Sequence, residues 1–271
     1  MFQQLLTPVG DSLLMSFLVA SIPIVVVLLM LGVLQRPAYQ AAIAGLITGL
    51  IVAIAVWQMP MGLALDATAA GVAFALWPIM WIVFAALILY NTAVLSGRFD
   101  AFRRWVLAHL PNDKRIVLIV IGYGFGSLLE GVSGFGAPVA ITASLLIMLG
   151  FKSLDAVVYA LIFNTAPVAF GSLGIPITTL AGVTGLPAPT LGAMVGRQLP
   201  LFAFILPFYV MAMYGGLKSV REMFPVLFVA GGAFALGQFG ASNYTYELTD
   251  VISAGAALIC TVLFLKVWKP A

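Results

Sequence analysis

The residues with the clearest chemical potential lie in the segment 130–140, which reads E-G-V-S-G-F-G-A-P-V-A. Glu130 supplies an ionisable carboxyl, Ser133 supplies a hydroxyl, and Gly134 and Gly136 supply backbone that a ligand can approach closely. A carboxyl can take up and release a proton, and amides left free at the start of a helix can bind an anion. The segment therefore predicts a site for a small anion with a proton-exchanging group beside it.

A second segment of the same kind spans residues 164–176 and reads N-T-A-P-V-A-F-G-S-L-G-I-P. The string A-P-V-A occurs in both segments, and the two could face each other. Asn164, Thr165 and Ser172 would add neutral hydrogen-bonding groups, so that a hydroxylated anion is held without a full cationic charge. The alternative for Asn164 and Thr165 is a hydrogen bond that only satisfies unwound backbone.

The chain around these segments is too apolar for a soluble domain. Of its 271 residues, 63% are hydrophobic and 8% are charged, and the mean hydropathy is +1.17, whereas soluble domains carry about 25% charged residues. We predict an all-α polytopic membrane protein that forms a single transmembrane domain over residues 1–271. Its basic residues are scattered among loops rather than gathered in a stripe, which argues against nucleic acid as a partner.

Apolar runs long enough to cross a bilayer predict transmembrane helices. These runs are residues 12–34, 38–57, 69–94, 199–214, 223–238 and 251–265. Between them, residues 116–149 contain two half-length runs that meet at the first break, which predicts a re-entrant hairpin. Residues 154–181 predict one crossing helix that is unwound at its middle, the construction found at transporter midplanes. Residues 98–111 combine aromatic and basic side chains and predict a cytoplasmic interfacial helix.

The distribution of Lys and Arg predicts the orientation in the membrane. With the amino terminus outside, the basic residues of short loops fall on the cytoplasmic side, as the positive-inside rule expects. Lys218 is then cytoplasmic, Glu247 and Asp250 are outside, and Arg197 is the one basic residue off the cytoplasmic side. Glu130 is the only acidic residue expected at membrane depth.

Two of these charged residues have two interpretations each. Glu130 either couples proton movement to substrate movement, or is a structural carboxylate that satisfies hairpin amides or pairs with Arg197. Arg197 either clamps a substrate carboxylate through two hydrogen bonds or anchors its helix at the outer interface. The glycines at 122, 124 and 126 are interpreted as positions of close helix packing rather than as nucleotide contacts, because no βαβ unit surrounds them.

The string G-V-S-G at residues 131–134 raises an enzymatic alternative, because it matches the serine motif of rhomboid intramembrane proteases. A serine nucleophile needs a base within hydrogen-bond reach, and the one histidine, His109, belongs to the predicted interfacial helix. No His, Cys, Asp and Glu cluster has the spacing of metal ligands, so no metal or cofactor is expected. We predict that the chain is not an enzyme.

These motifs resemble those of the bacterial L-lactate permease family. The matching strings are L-L-E-G-V-S-G-F-G-A-P-V-A-I-T-A at residues 128–143, N-T-A-P-V-A-F-G-S-L-G-I-P-I at 164–177 and V-G-R-Q-L-P at 195–200. The resemblance implies an inner-membrane secondary transporter that takes up lactate and related 2-hydroxy acids such as glycolate together with protons. It also implies an ion-transporter fold of two inverted repeats, each with a re-entrant hairpin and a broken helix.

We therefore expect Glu130 to carry the proton, and the substrate to contact Ser133, Gly134, Gly136, Asn164, Thr165, Ser172 and Arg197. Members of the family are roughly twice as long, so the chain resembles their amino-terminal half, and an inverted partner repeat would lie in a missing part or in another chain, such as a second copy. The alternatives are a non-transporting fragment or assembly subunit, and an intramembrane serine hydrolase.

Overall fold

The computed structural model describes residues 4–98, 101, 104, 113–134 and 136–269. Helices joined by turns make up these residues, with no strand among them. Five helices of this described part are long and apolar enough to cross a membrane. The all-helical class of a polytopic membrane protein is thereby confirmed. Most of the predicted interfacial helix at 98–111, including His109, lies outside the described residues.

Residues Met1–Pro78 form one compact unit. Its helices are α1 (Leu13–Gly32), α2 (Ala38–Ala55) and α3 (Met61–Phe74). The Ser12 side chain begins α1 by accepting a hydrogen bond from the Met15 amide, as expected of a helix-capping serine. α1 packs on α2 where Gly45 leaves room for the Val27 side chain. Most large apolar side chains of α1 stay exposed, as expected of a helix that faces lipid.

The predicted continuous span at 69–94 is wrong. α3 ends at Phe74, a kink covers Ala75–Ile79, and α4 (Met80–Leu95) follows. Trp77 has an extended backbone with φ −143° and ψ 113°, because Pro78 follows it and the proline ring disfavours helical backbone in the preceding residue. The apolar run predicted the hydropathy of this stretch correctly but not its interruption.

Residues Ile79–Ala271 form the second compact unit. After α4, its helices are α5 (Lys114–Val132), α6 (Ala137–Met148), α7 (Ser153–Asn164), α8 (Gly171–Thr184), α9 (Ala188–Ser242) and α10 (Thr249–Val267). α5 lies at the centre of this unit. In its most apolar stretch of 18 residues, 72% of the residues are buried, compared with 33% for the corresponding stretch of α10. Tyr123 of α5 packs its ring 5.4 Å from that of Phe163 and 5.3 Å from that of Phe234, between ring centroids.

α5 is longer than the half-length run predicted from the sequence. Asp113 caps it by accepting a hydrogen bond from the Arg115 amide at 2.8 Å, and the helix continues for 19 residues, with a π-helical stretch at Leu118–Phe125. By length and composition it could cross a membrane. α6, the second arm of the predicted hairpin, has 12 residues and is too short to do so alone.

The two spans predicted at 199–214 and 223–238 belong to one long helical stretch, α9. It begins at Ala188 and is interrupted at Gly215 and Gly216. Gly216 has φ 69° and ψ −175°, a backbone conformation that is open essentially to glycine alone. The interruption therefore lies where the sequence supplies a residue without a side chain.

Candidate functional site

The two glycine-containing breaks face each other and touch. The Ser172 hydroxyl donates a hydrogen bond of 2.6 Å to the Ser133 carbonyl oxygen. Gly134 has φ +56°, and a Cβ built on it would lie 3.0 Å from Ser172 Cβ and 3.1 Å from Ser172 N. A residue with a side chain would meet both a strained backbone and a steric conflict there. Ser133, Gly134 and Ser172 form one contacting group, which we call the junction.

The start of α8 is held in an unusual conformation beside the junction. Ser172, Leu173 and Gly174 have successive left-handed φ values of 48°, 56° and 78°. Left-handed backbone is costly for serine and leucine, so the surrounding contacts must hold it in place. The Ser172 hydrogen bond is one such contact. The other is the packing of Tyr246 on Gly174, where an added Cβ would lie 2.8 Å from the tyrosine ring.

Glu130 lies in the last turn of α5, next to the second break. Its side chain is buried, with 4% of its surface exposed. Its Oε1 lies 2.8 Å from the position that a Cβ on Gly171 would take, and the Asn164 side chain is placed to hydrogen-bond to its carboxyl. Its Oε2 has no hydrogen-bond partner among the described residues. The structure thus brings Glu130 and Asn164 together.

Two hydroxyls of the predicted site are engaged with their own helices. Ser133 Oγ donates to the Leu129 carbonyl at 2.9 Å, and Thr165 Oγ1 donates to the Ile162 carbonyl at 2.6 Å. For Thr165 this is the alternative in which the side chain satisfies the backbone at the break. Each hydroxyl oxygen still has acceptor capacity for a ligand donor.

Gly136 begins α6 with open space around it. Its φ is +83°, and no atom of another described residue lies within 4 Å of a Cβ built there. Pro138 occupies the first turn of α6, where its missing N–H is not needed. Gly136 is therefore required for a left-handed turn and not for close packing, and the free amides that start α6 can be approached.

Arg197 is not joined to these residues by a hydrogen bond or an ion pair in the described part of the chain. It is exposed on α9 and makes no hydrogen bond or ion pair with another described residue. The predicted pairing with Glu130 is therefore not formed. Its neighbour Gly196 packs against Ser242, so α9 is fixed at this point by a small residue next to the arginine.

The glycines of α5 serve packing, as the sequence interpretation favoured. A Cβ on Gly122 would lie 2.8 Å from the Phe163 ring, and one on Gly124 would lie 2.6 Å from Leu258 Cδ2. Neighbouring helices approach α5 closely because these positions have no side chain. The glycines hold α7 and α10 against the helix that carries Glu130.

Asp250 is a functional candidate that was not predicted from the sequence. Its position near Glu247 predicted an outer loop, but Asp250 lies in the first turn of α10 and is completely buried. A Cβ on Gly131 would lie 2.9 Å from Asp250 Cβ, so the acid packs beside the helix end that carries Glu130. Glu130 is thus not the only acidic residue in the interior. The apolar residues that directly follow position 250 could have indicated that Asp250 belongs to the start of the next helix.

Comparison with known proteins identifies the family. The L-lactate permease family model matches residues 16–271. The glycolate permease of Escherichia coli (strain K12) is 47% identical over 268 residues, which cover 98% of this chain and 48% of the relative. The L-lactate permeases of Escherichia coli (strain K12) and Bacillus subtilis (strain 168) are 44% and 42% identical, and the alignments cover 100% and 98% of this chain but 49% and 47% of those relatives.

The chain spans about half the length of the curated relatives it matches. No solved structure matches it. The family match extends over both breaks, the junction and Glu130, so the residues assembled above lie inside the shared region. The chain is a multi-pass membrane protein that belongs to the L-lactate permease family.

Proposed function

We propose that this chain forms one half of a secondary transporter that takes up L-lactate and related 2-hydroxy monocarboxylates with protons across a bacterial inner membrane. The observation that carries the proposal is the junction, where two interrupted helices meet beside the buried carboxyl of Glu130. Irregular backbone at membrane depth is tolerated where protein buries it or where it lines a cavity. The names of the relatives, glycolate permease and L-lactate permease, support this substrate class.

The start of α6 supplies the proposed contact with the substrate carboxylate. The amides after Gly136 are free of intrahelical partners and carry the positive end of the helix dipole. The open space around Gly136 allows a ligand to reach them. Asn164 and Ser172 would then serve the 2-hydroxyl, since an amide and a hydroxyl can both donate and accept. Ser133, Gly134 and Thr165 shape this site, and Arg197 is a second proposed contact for the carboxylate.

Glu130 is the proposed proton carrier. A buried carboxyl without a cationic partner is costly when ionised, and its protonation removes a negative charge that would repel the arriving substrate. Binding of the proton and binding of the substrate are then mutually favourable by linkage. Arg197 is exposed and makes no ion pair in the described part of the chain, which leaves the carboxyl free for this role.

The helices around the junction suggest how the half-transporter is built. In this proposal α5 and α6 (residues 116–149) form the re-entrant hairpin, and α7 and α8 (residues 154–181) form the broken helix of one inverted repeat. The second repeat is supplied by a carboxyl-terminal half or by another copy of the chain. Large apolar residues that stay exposed on α1 and α2 contact lipid or that second repeat.

A reconstitution experiment tests the proposal. Proteoliposomes receive this chain alone, the carboxyl-terminal half of the Escherichia coli glycolate permease alone, or both, and uptake of labelled L-lactate is measured with an inward proton gradient. Uptake that requires both halves supports the proposal, and uptake by this chain alone supports a homo-oligomer. If none of the three preparations transports while the complete glycolate permease does, the chain is a non-transporting fragment or assembly subunit.

The orientation is tested by labelling with an impermeant maleimide in a Cys260→Ser background. Glu247 and Lys218 are both exposed and follow the two segments of α9. With the amino terminus outside, a cysteine at Glu247 reacts in intact cells and one at Lys218 reacts only after permeabilisation. The opposite pattern would reverse the proposed orientation.

A further inference from the structure

Two carboxyls on different helices are buried where α5 and α10 pack together. Glu130 on α5 is 4% exposed and Asp250 on α10 is 0% exposed. α10 approaches closely because Gly131 has no side chain, and a Cβ there would lie 2.9 Å from Asp250 Cβ and 3.1 Å from Val251 N. The two carboxyls are close enough to interact electrostatically. The charge of each of these two buried acids therefore affects the other.

The polar atoms without partners in this environment are mostly acceptors. Glu130 Oε2 and both carboxyl oxygens of Asp250 lack a hydrogen-bond partner among the described residues. Gln238 is fully buried, and its side chain is placed to hydrogen-bond to the Asp250 carboxyl. Its Nε2 donates to the Ala166 carbonyl at 3.0 Å, and its Oε1 lacks a described partner. Buried acceptors are normally satisfied. A hydrogen-bond donor or a cation is what these atoms require.

The charged groups of the described helices that pack around Glu130 and Asp250 do not supply such a donor or cation. Tyr123 of α5 lies within electrostatic range of Asp250, but its hydroxyl donates to the Ala203 carbonyl at 2.8 Å. α6 and α8 carry no ionisable side chain. Asp155 lies in the first turn of α7, the opposite end from Asn164. Lys218, Arg221 and Glu222 lie at the start of the second part of α9, far along the helix from Gln238. Glu222 pairs with Arg115, which lies at the opposite end of α5 from Glu130. Arg197 and Glu247 are exposed.

We infer that Glu130 and Asp250 form one proton-binding pair that shares a single exchangeable proton, and that Asp250 is a second proton-coupling residue. Two carboxylates in a low-dielectric interior cannot both ionise without strong repulsion. One added proton forms an O–H bond on one carboxyl and removes the repulsion between the two charges. On Asp250, this O–H can donate to Gln238 Oε1. Proton binding by the pair stands on its own, whereas its role in transport rests on the proposed function.

A direct titration tests the pair without requiring transport. The purified chain in lipid nanodiscs is titrated by infrared spectroscopy, which follows the C=O stretch of protonated carboxyls, as wild type, Glu130→Gln, Asp250→Asn and the double variant. We expect each single variant to ionise its remaining carboxyl at a pH at least about one unit lower than the pair does, because the neighbouring charge is gone. The double variant loses the part of the band that the two buried carboxyls contribute, and the other seven acidic residues keep theirs at acidic pH. Glu247→Gln, which removes an exposed carboxyl, is the matched control and leaves the titration unchanged.

A measurement on the wild-type chain covers the case in which these variants fold poorly. Dicyclohexylcarbodiimide modifies protonated carboxyls in apolar surroundings, and peptide mass mapping locates the product. We expect modification at Glu130 or Asp250, no more than one per chain, with less product at alkaline pH. Independent titration of the two acids, or modification of both in one chain, would overturn the shared proton. A shift of the titration in sodium chloride relative to choline chloride would assign the pair to a metal cation instead.

The transport assay separates this inference from the proposed function. Coupled titration together with absent lactate uptake would leave the pair intact and remove the transport proposal. Independent titration of the two acids together with proton-driven lactate uptake would remove the shared proton and leave the transport proposal intact. In proteoliposomes that contain both halves, Asp250→Asn is expected to lower the accumulation of lactate driven by the proton gradient at least about tenfold. Exchange of internal for external lactate is expected to continue.

Discussion

Ser172 Oγ lies 2.6 Å from the carbonyl oxygen of Ser133, to which it donates a hydrogen bond across 39 residues of sequence. The bond joins the break between α5 and α6 to the left-handed turn that starts α8. Ser133 lies three residues after Glu130, and Ser172 directly follows Gly171, which packs on the Glu130 carboxyl. Any movement of one break must therefore rearrange the other, together with the surroundings of the buried acid.

The contact between Gly134 and Ser172 predicts a large cost for a side chain at position 134. Gly134→Ala must adopt φ +56° and place its Cβ against Ser172. Left-handed strain and overpacking together predict a loss of about 3 kcal/mol in the free energy of unfolding. Thermal unfolding in detergent measures it. Gly182→Ala is the control, since this helical glycine of α8 has no atom within 4 Å of an added Cβ. Ser172→Gly should restore part of the stability, and no restoration would place the strain elsewhere.

Gly136 allows backbone access to be tested apart from backbone strain. Gly136 and Gly185 both have left-handed φ values, +83° and +71°, and open space around an added Cβ. Asparagine tolerates this conformation, so Gly136→Asn and Gly185→Asn should fold about equally well. We expect Gly136→Asn to weaken lactate binding in the active two-half preparation at least about tenfold, because the side chain covers the amides that start α6. Equal affinities would show that Gly136 only shapes a turn.

The coupling role of Glu130 predicts a separation of two transport modes. Glu130→Gln mimics the protonated carboxyl in shape and charge. It should retain exchange of internal for external lactate and lose accumulation driven by a pH gradient, because the variant can no longer release a proton. Counterflow and gradient-driven uptake in the same proteoliposomes measure the two modes. A variant that concentrates lactate as wild type does would make Glu130 a structural carboxylate.

Arg115 forms ion pairs with Asp113 and Glu222 at the start of α5. The pairing of Asp113 predicts a stability that depends on pH. Burial raises the pKa of Asp113, but hydrogen bonds from the Arg115 side chain and amide and the charge of its guanidinium outweigh it, so this pKa lies below its ordinary value. Asp113 therefore stabilises the fold above its unfolded pKa of about 3.9, and this contribution is lost as the pH falls through the lower folded value.

Asp113→Asn should accordingly cost about 1 kcal/mol at pH 7, with a difference from wild type that shrinks below about pH 4. Urea unfolding at several pH values measures this difference. Asp66→Asn, which removes an exposed carboxyl of α3, should show no comparable trend. A constant difference across the pH range would assign the effect of Asp113 to helix capping alone.

The sequence alone determined the helical membrane class, because an apolar chain with 8% charged residues can satisfy its backbone in lipid through helices. It also located both breaks, because glycine, proline and small polar residues interrupt apolar runs at recognisable positions. The family followed from long motifs around Glu130 and Asn164. These features are local or compositional, so they can be read without knowing which residues meet.

The tertiary structure decided which residues meet. The contact of Ser172 with Ser133 depends on how α8 packs on α5, and hydropathy contains no information about that pairing. Asp250 followed loop residues and was assigned to solvent, yet the absence of a side chain at Gly131 lets α10 bury it beside Glu130. Arg197 lies in a family motif of its own, and only the structure shows that it is exposed on α9 and forms no ion pair with Glu130 among the described residues. Burial and partnership of charged groups arise from packing between distant segments, and local sequence patterns do not specify that packing.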